Sequence, residues 1–279
     1  MRIAVTGATG FIGRAVLAEL SNRGIAAVAC SRSGSAPVSP AGHRAVALDL
    51  HEQIGDAFDR LGRPELVIHL AWGGLPNYRS LNHVESELPA QYRFLRNLVE
   101  GGVQSLVVAG TCFEYGLQSG PLGEDLPTRP ENPYGFAKDA LRRELEFLKA
   151  AKPFSLTWAR FFYLYGEGQA ETSLLPQLRK AVAAGDKAFN MSGGEQLRDY
   201  LAVGEAARLL VTLALARRDA GAVNVCSGRP VSVRRLVEGW IRDNGWTIDL
   251  NLGHYPYPDY EPMAFWGERR KLDHILGGQ

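Results

Sequence analysis

Short apolar runs and amphipathic stretches alternate along the first two-thirds of the chain. Residues 3–5 form an apolar strand. Ala15, Val16, Leu17 and Leu20 then mark one side of a helix that Arg23-Gly24 stops. Residues 25–30 predict a second strand and 45–48 a third, with a polar loop over 31–44 that holds Gly34, Pro37, Pro40 and Gly42. Ile54, Ala57, Phe58 and Leu61 recur at helical spacing before Gly62. Residues 66–71 are almost continuously apolar, as in a strand of a parallel sheet covered on both faces. Leu88, Tyr92, Leu95, Leu98 and Val99 line a long helix. Residues 103–109 predict a fifth strand, 134–150 a helix and 154–159 a sixth strand. This alternation predicts an α/β fold with a Rossmann-like, doubly wound parallel sheet.

After Arg160 the pattern loosens. A loop is expected to residue 171, then a helix over 173–184 and short strands at 189–191 and 200–203. An amphipathic helix over 205–217 and a strand at 223–225 return to the sheet. Val233, Leu236, Val237, Trp240 and Ile241 mark a helix over 232–244. Residues 251–265, rich in Tyr and Pro, predict loop, and 271–276 a closing helix. The division expected is a dinucleotide-binding domain of 1–160 plus about 204–227. A smaller, discontinuous substrate domain would take about 161–203 plus 228–279.

The chain's 279 residues suffice for one large α/β domain or a core domain with a small addition. Its 31 basic and 30 acidic residues leave a net charge of +1, which drives binding to neither nucleic acid nor an anionic membrane. Cys30, Cys112 and Cys226 form no CxxC pair, so free thiols in a reducing, cytoplasmic setting are expected. The glycine turn begins by residue 7, so no signal peptide is expected, and no apolar run is long enough to span a bilayer. Histidines 43, 51, 69, 83, 254 and 274 include no pair at ligand spacing, so no metal is expected.

The first chemical signal is Thr6-Gly7-Ala8-Thr9-Gly10-Phe11-Ile12-Gly13, between the first strand and the first helix. A tight turn and close approach to a pyrophosphate both require glycine, and a helix N-terminus offers bare N–H groups to phosphate. The spacing is G-x-x-G-x-x-G, which differs from the commonest dinucleotide fingerprint. At the end of the second strand, Ser31-Arg32 stands where an acidic residue would bind the adenosine ribose, and residues 26–41 hold no Asp or Glu. A cation and a hydroxyl suit a 2′-phosphate, so NADP(H) is favoured over NAD(H). Asp49-Leu50 after the third strand could meet the adenine or cap the strand end. Leu70, Ala71 and Trp72 end the fourth strand where its backbone would pass the cofactor's middle. His69 reads as a core histidine. Trp72 with Asn77-Tyr78 could contact a ligand or pack in the core.

The strongest signal is Tyr134-Gly135-Phe136-Ala137-Lys138. Its i, i+4 spacing puts a phenol and an ammonium on one helix face. A neighbouring ammonium favours phenolate, which makes the phenol the better proton donor. Tyr134, Lys138 and a loop at Thr111 would meet the glycine turn at the C-terminal edge of the strands.

In this combination the chain resembles an extended short-chain dehydrogenase/reductase of the branch acting on nucleotide-linked sugars. The matching residues are Thr6 to Gly13, Asp49-Leu50, His69-Leu70-Ala71, the loop Gly110-Thr111-Cys112-Phe113-Glu114-Tyr115-Gly116, Asn132-Pro133-Tyr134 to Lys138, Arg160 to Gly166, and Arg198-Asp199-Tyr200. The resemblance implies Tyr134 as acid/base, Lys138 as its tuner and Thr111 as partner of the sugar oxygen. It matches Arg198 to the arginine that binds diphosphate in relatives, the alternative being a structural ion pair with Asp199 or another carboxylate, and it leaves Tyr163 as a substrate-side position of this chain's own. Departures narrow the reaction. Cys112-Phe113 replaces the Asp-Glu that 4,6-dehydratases need. The cysteine of 3,5-epimerase/reductases, two places before the loop tyrosine, is Phe113 here. Cys112 reads as a small buried residue, and Glu114 as either a substrate contact or a loop ion pair. Tyr163 stands where many relatives carry an asparagine, which implies a different substrate pose.

The chain looks most similar to CDP-abequose/paratose synthases and dTDP-4-keto-6-deoxyhexose reductases, which make deoxysugars for bacterial surface polysaccharides such as lipopolysaccharide. NADPH-dependent reduction of a nucleotide-linked 4-keto-6-deoxyhexose is therefore expected. The alternatives are an NAD-dependent 4-epimerase and a non-catalytic cofactor-binding protein. A homodimer through the helices near 84–100 and 134–150 is expected by analogy.

Overall fold

The computed structural model describes residues 1–34, 42–52, 55–257 and 261–277. Pro37, Pro40 and Ile54 of the sequence reading lie outside these. The first half runs β1 (Ile3–Thr6), α1 (Phe11–Asn22), β2 (Val28–Ser31), β3 (Arg44–Ala47), α2 (Ala57–Arg60), β4 (Leu66–His69), α3 (Leu88–Gly101), β5 (Ser105–Thr111), β6 (Gly120–Leu122) and α4 (Pro133–Ala151). Then come β7 (Ser155–Phe161), β8 (Tyr163–Tyr165), α5 (Leu174–Ala184), β9 (Ala188–Asn190), β10 (Leu197–Ala202), α6 (Val203–Ala216), β11 (Gly221–Val225), β12 (Pro230–Ser232), α7 (Val233–Asn244), β13 (Asp249–Asn251), β14 (Phe265–Gly267) and α8 (Arg270–Gly277).

Among the described residues, seven strands form one sheet in the order β3-β2-β1-β4-β5-β7-β11. Every pairing in it is parallel. The strand order reverses beside β1, between β2 and β4, and such a switch point opens a crevice at the carboxyl ends of the strands. Alternate side chains feed the two faces. Ile3 and Val5 join α1, α6 and α8 through Leu17, Leu210 and Leu272. Ala4, Leu106 and Val108 join α2, α3 and α4 through Leu61, Leu95 and Leu141. Both faces are covered, which is why these strands read as unbroken apolar runs. A separate buried cluster gathers Leu178, Phe189, Met191, Val237 and Trp240 from α5, β9 and α7 and the segments beside them.

The elements differ from expectation where local bonds compete with the ladder. β2 begins at Val28 rather than residue 25, because Ile25 N–H still closes the end of α1 on Leu20 O at 2.9 Å. β4 stops at His69 because the N–H groups of Leu70 and Ala71 reach the Thr6 hydroxyl. Residues 161–171, expected as loop, contain β8, which pairs in parallel with β10 at Tyr163↔Tyr200. The expected loop over 251–265 is bounded by β13 and β14.

Candidate active site

β1 ends at Thr6 and the chain turns through Gly7 with φ +66°. A Cβ on Gly7 would stand 2.8 Å from the backbone of Leu70 and Ala71, and one on Gly13 would stand 2.1 Å from Gly7 O. Neither position has room for a side chain, so the first turn of α1 lies directly on the loop. Gly10 caps α1 without a side-chain bond, and that turn carries no acidic residue. Its N–H groups and partial positive charge are left for an anion.

A cleft of about 230 Å³ opens beside this turn. Gly7, Thr9, Gly10, Ser31, Arg32, Asp49, Leu50, Leu70, Ala71 and Trp72, the positions expected at a cofactor, are among its lining residues. Phe11, Ile12 and Gly13 are outside its lining and make up the first turn of α1, whose N–H groups no side chain caps. Asp49 Oδ1 accepts the His51 N–H at 3.0 Å, so this carboxylate caps its own turn at the rim. The glycine cradle and the bare helix terminus fit a dinucleotide's pyrophosphate.

The cleft wall also contains residues that the sequence reading missed, among them His51, Gly73, Glu87 and Gln91. Glu87 ends a π-helical turn, His83–Glu87, just before α3. Pro89 has no N–H to continue the ladder, which favours the widened turn. The Glu87 carboxylate is buried, 2.9 Å from His51 Nε2, and accepts from Gly73 N–H and Gln91 Nε2. Gln91 Oε1 lies 2.8 Å from His69 Nε2, and the Thr6 hydroxyl lies 2.9 Å from His69 Nδ1. Thr6 already accepts two backbone N–H groups, so it donates to Nδ1 and His69 donates from Nε2. Burial first, then the Lys138 charge, pushes His69 down to about 3. His69 is a neutral core histidine, as expected.

Tyr134 sits in the first turn of α4. Asn132 caps this helix by accepting the Gly135 N–H at 2.8 Å, and Pro133 fits the first helical position. A Cβ on Gly135 would meet Phe113 O at 2.7 Å, so α4 presses against the turn Cys112–Tyr115. Thr111 and Glu114 form a capping box over that turn. The Tyr134 ring is buried among Trp72, Tyr78, His83 and Phe113. Burial pushes its phenol well above the usual range, and a hydrogen bond with the Thr111 hydroxyl pulls the other way. This corrects the expectation of an acidified phenol. Lys138 Nζ lies 5.9 Å from the Tyr134 ring centroid and donates instead to Ala109 O at 2.8 Å. Thr111, Tyr134 and Lys138 do converge, but outside the lining of the cleft, while Trp72 belongs to it and touches Lys138.

Lys138 is pushed down from 10.5 to about 7 by burial, with Glu114 and Glu87 drawing it partly back. Between those values the unfolded chain holds a proton that the folded chain lacks, so stability rises with pH across that window. Below about pH 7 the fold carries a buried ammonium. Lys138→Met is expected to raise the unfolding free energy by ~2 kcal/mol or more at pH 6, fading towards pH 10.5. Urea unfolding at pH 6 and 9.5 checks this.

On the far side of Thr111, Tyr163 donates to Glu261 Oε1 at 2.6 Å and Arg198 Nη2 to Glu261 Oε2 at 3.0 Å. Arg198 is buried and also bonds the carbonyls of Leu197 and Met263. Asp199 takes no part in that ion pair; it accepts the N–H groups of Ser227 and Gly228. Glu114 resolves as a loop ion pair with Arg160. Cys112 is buried, and burial pushes its thiol up.

The sequence profile of the NAD dependent epimerase/dehydratase family matches residues 3–226. The chain belongs to that family. It is an enzyme of the NAD(P)-dependent kind, and its Rossmann-type sheet is the one expected. It is 31% identical over 276 residues to a dTDP-6-deoxy-L-talose 4-dehydrogenase (NAD(+)) of Aggregatibacter actinomycetemcomitans, covering 96% of this chain and 100% of the relative. It is 28% identical to a UDP-glucose 4-epimerase of Corynebacterium glutamicum, covering 99% of this chain and 90% of that one. Among solved structures, MoeE5 in complex with UDP-glucuronic acid and NAD superposes with a TM-score of 0.83 at 30% identity, covering 99% of this chain and 93% of that one.

Proposed function

We propose that this enzyme interconverts the 4-keto and 4-hydroxy forms of a nucleoside-diphosphate-linked 6-deoxyhexose, acting as an NADP(H)-dependent 4-ketoreductase. The observation that carries this reading is the convergence of Thr111, Tyr134 and Lys138 beside a dinucleotide cradle. The 4-dehydrogenase relative supports the carbon and the substrate class. Residues 1–160 with about 204–227 would hold the cofactor, and about 161–203 with 228–279 the sugar nucleotide, through Tyr163 and Arg198. We place it in the cytoplasm, in bacterial deoxysugar synthesis, as a homodimer along α3 and α4. The exposed Phe136 and Phe147 on α4 favour that pairing.

When bound, the cofactor supplies the hydride for C4. Tyr134 gives its proton to the carbonyl oxygen, and the Thr111 hydroxyl hydrogen-bonds to the same oxygen. Below about pH 7, Lys138 keeps a positive charge beside the phenol as it loses its proton. The aromatic ring of neighbours around Tyr134 excludes water from the exchange.

The test is a panel of 4-keto-6-deoxy sugar nucleotides with NADPH or NADH, read as loss of reduced-nicotinamide absorbance. Turnover with NADPH is expected. No turnover of any member, in either direction, would remove the reading. Arg32 is exposed at the cleft rim, and in this reading it carries the cofactor preference with Ser31. Arg32→Ala is expected to lower the NADPH-to-NADH ratio of kcat/KM about tenfold to a hundredfold, the loss of one or two charge-assisted hydrogen bonds. A wild-type preference for NADH would overturn that role.

A 4-epimerase is the second reading, favoured by the similarity to UDP-glucose 4-epimerase. It requires a nucleotide that stays bound through purification. Denaturing the purified protein and assaying released NAD separates the two.

A further inference from the structure

We propose that Trp72 is a positioning residue for Lys138: its indole face holds the buried ammonium where no carboxylate does. Lys138 is 2% exposed. Its Nζ bonds Ala109 O and makes no ion pair among the described residues. The same Nζ stands 3.9 Å from the centroid of the Trp72 ring. A cation over an indole face is attracted by the ring quadrupole, and more strongly where water is excluded.

The indole is itself fixed. Its Nε1 donates to His83 Nδ1 at 3.1 Å, and His83 Nε2 donates in turn to Asn77 O at 2.8 Å. It also meets Tyr134 edge-on, at 6.0 Å and 73°. The other titratable groups facing Lys138 come from every element around it. Glu87 stands before α3 and Glu114 after β5, and both act on Lys138 through space. His69 on β4 is neutral, and Tyr134 shares α4. Trp72 is the aromatic face among them that touches the ammonium and also lines the cleft. Residue 72 therefore sets both the place of the ammonium and how firmly it keeps its proton.

The importance of Lys138 rests on the proposed function, but the contact is a property of the ligand-free protein and is measured there. The experiment is NMR of protein labelled with ¹³C at the lysine ε-carbon, with Lys138→Met assigning the signal. In the wild type, the Lys138 ε-protons are expected upfield of the other lysines, shifted by the ring current, with cross-peaks to the indole. Trp72→Leu, which keeps the site dry, is expected to lower the Lys138 midpoint by about one pH unit, equivalent to ~1.4 kcal/mol. Trp72→Phe is expected to fall between. No upfield shift or cross-peak in the wild type overturns the proposal without any variant, even if Trp72→Leu does not fold. A midpoint in folded Trp72→Leu equal to or above the wild-type value overturns it as well. Neither result depends on turnover, so failure of the substrate panel and failure of this proposal are separate outcomes.

Discussion

Tyr134→Phe is expected to lower turnover about 10²–10⁴-fold, the range that a positioned general acid contributes. The substitution removes one oxygen and keeps the ring that Trp72, Tyr78, His83 and Phe113 enclose. Folding and nucleotide binding should therefore stay near wild-type values. Burial holds the phenol protonated far above neutral pH. Initial rates with the best substrate of the panel, together with nucleotide affinity and melting temperature, check this. A Phe variant that keeps a tenth of the rate would show that the proton comes from elsewhere.

The features legible in the sequence are those set by short-range interactions. The glycine turn, the Tyr134/Lys138 spacing and the strands of the main sheet are local patterns. A strand buried on both faces, such as Leu66–His69, leaves a near-continuous apolar run that needs no partner to recognise. β8 left no such mark. Its three residues are half-buried, and its pairing with β10 is set by residues 37 positions away. The π-helical turn at His83–Glu87 is polar in composition, so nothing in periodicity announced it. Glu87 and His51 meet across 36 residues, and Arg198 and Glu261 across 63. Carboxylates and guanidiniums are usually solvated at the surface, so each looked like an ordinary charge until the fold paired it. The sign of the Tyr134 shift failed for a related reason. Sequence spacing revealed the nearby ammonium but not the burial, and burial is the largest effect on the phenol.

Glu114, which the sequence leaves divided between a substrate contact and a loop ion pair, supports the second large expectation. Arg160→Met is expected to destabilise the protein by about 3–5 kcal/mol, because it leaves a carboxylate buried without its countercharge. Arg160 Nε lies 2.7 Å from Glu114 Oε2, with side-chain exposures of 2% and 0%. The other oxygen, Glu114 Oε1, accepts the Thr111 N–H and the Trp158 indole N–H, both at 2.8 Å. Arg160 also lies over the Tyr115 ring at 4.6 Å. Met fills much of the same space, so the effect measures lost charge more than lost packing. Glu114→Gln added to Arg160→Met removes the stranded charge and keeps an acceptor oxygen for Thr111. The double variant is expected to regain most of the stability, since two neutral partners avoid the desolvation that a lone ion suffers. Urea unfolding of the four proteins gives the coupling energy directly. Because the same carboxylate anchors the backbone of Thr111, turnover should fall in Arg160→Met and recover with stability in the double variant. Additive losses across the cycle would mean that Glu114 and Arg160 act independently, and the account of the Thr111 loop as held from below by this ion pair would fail.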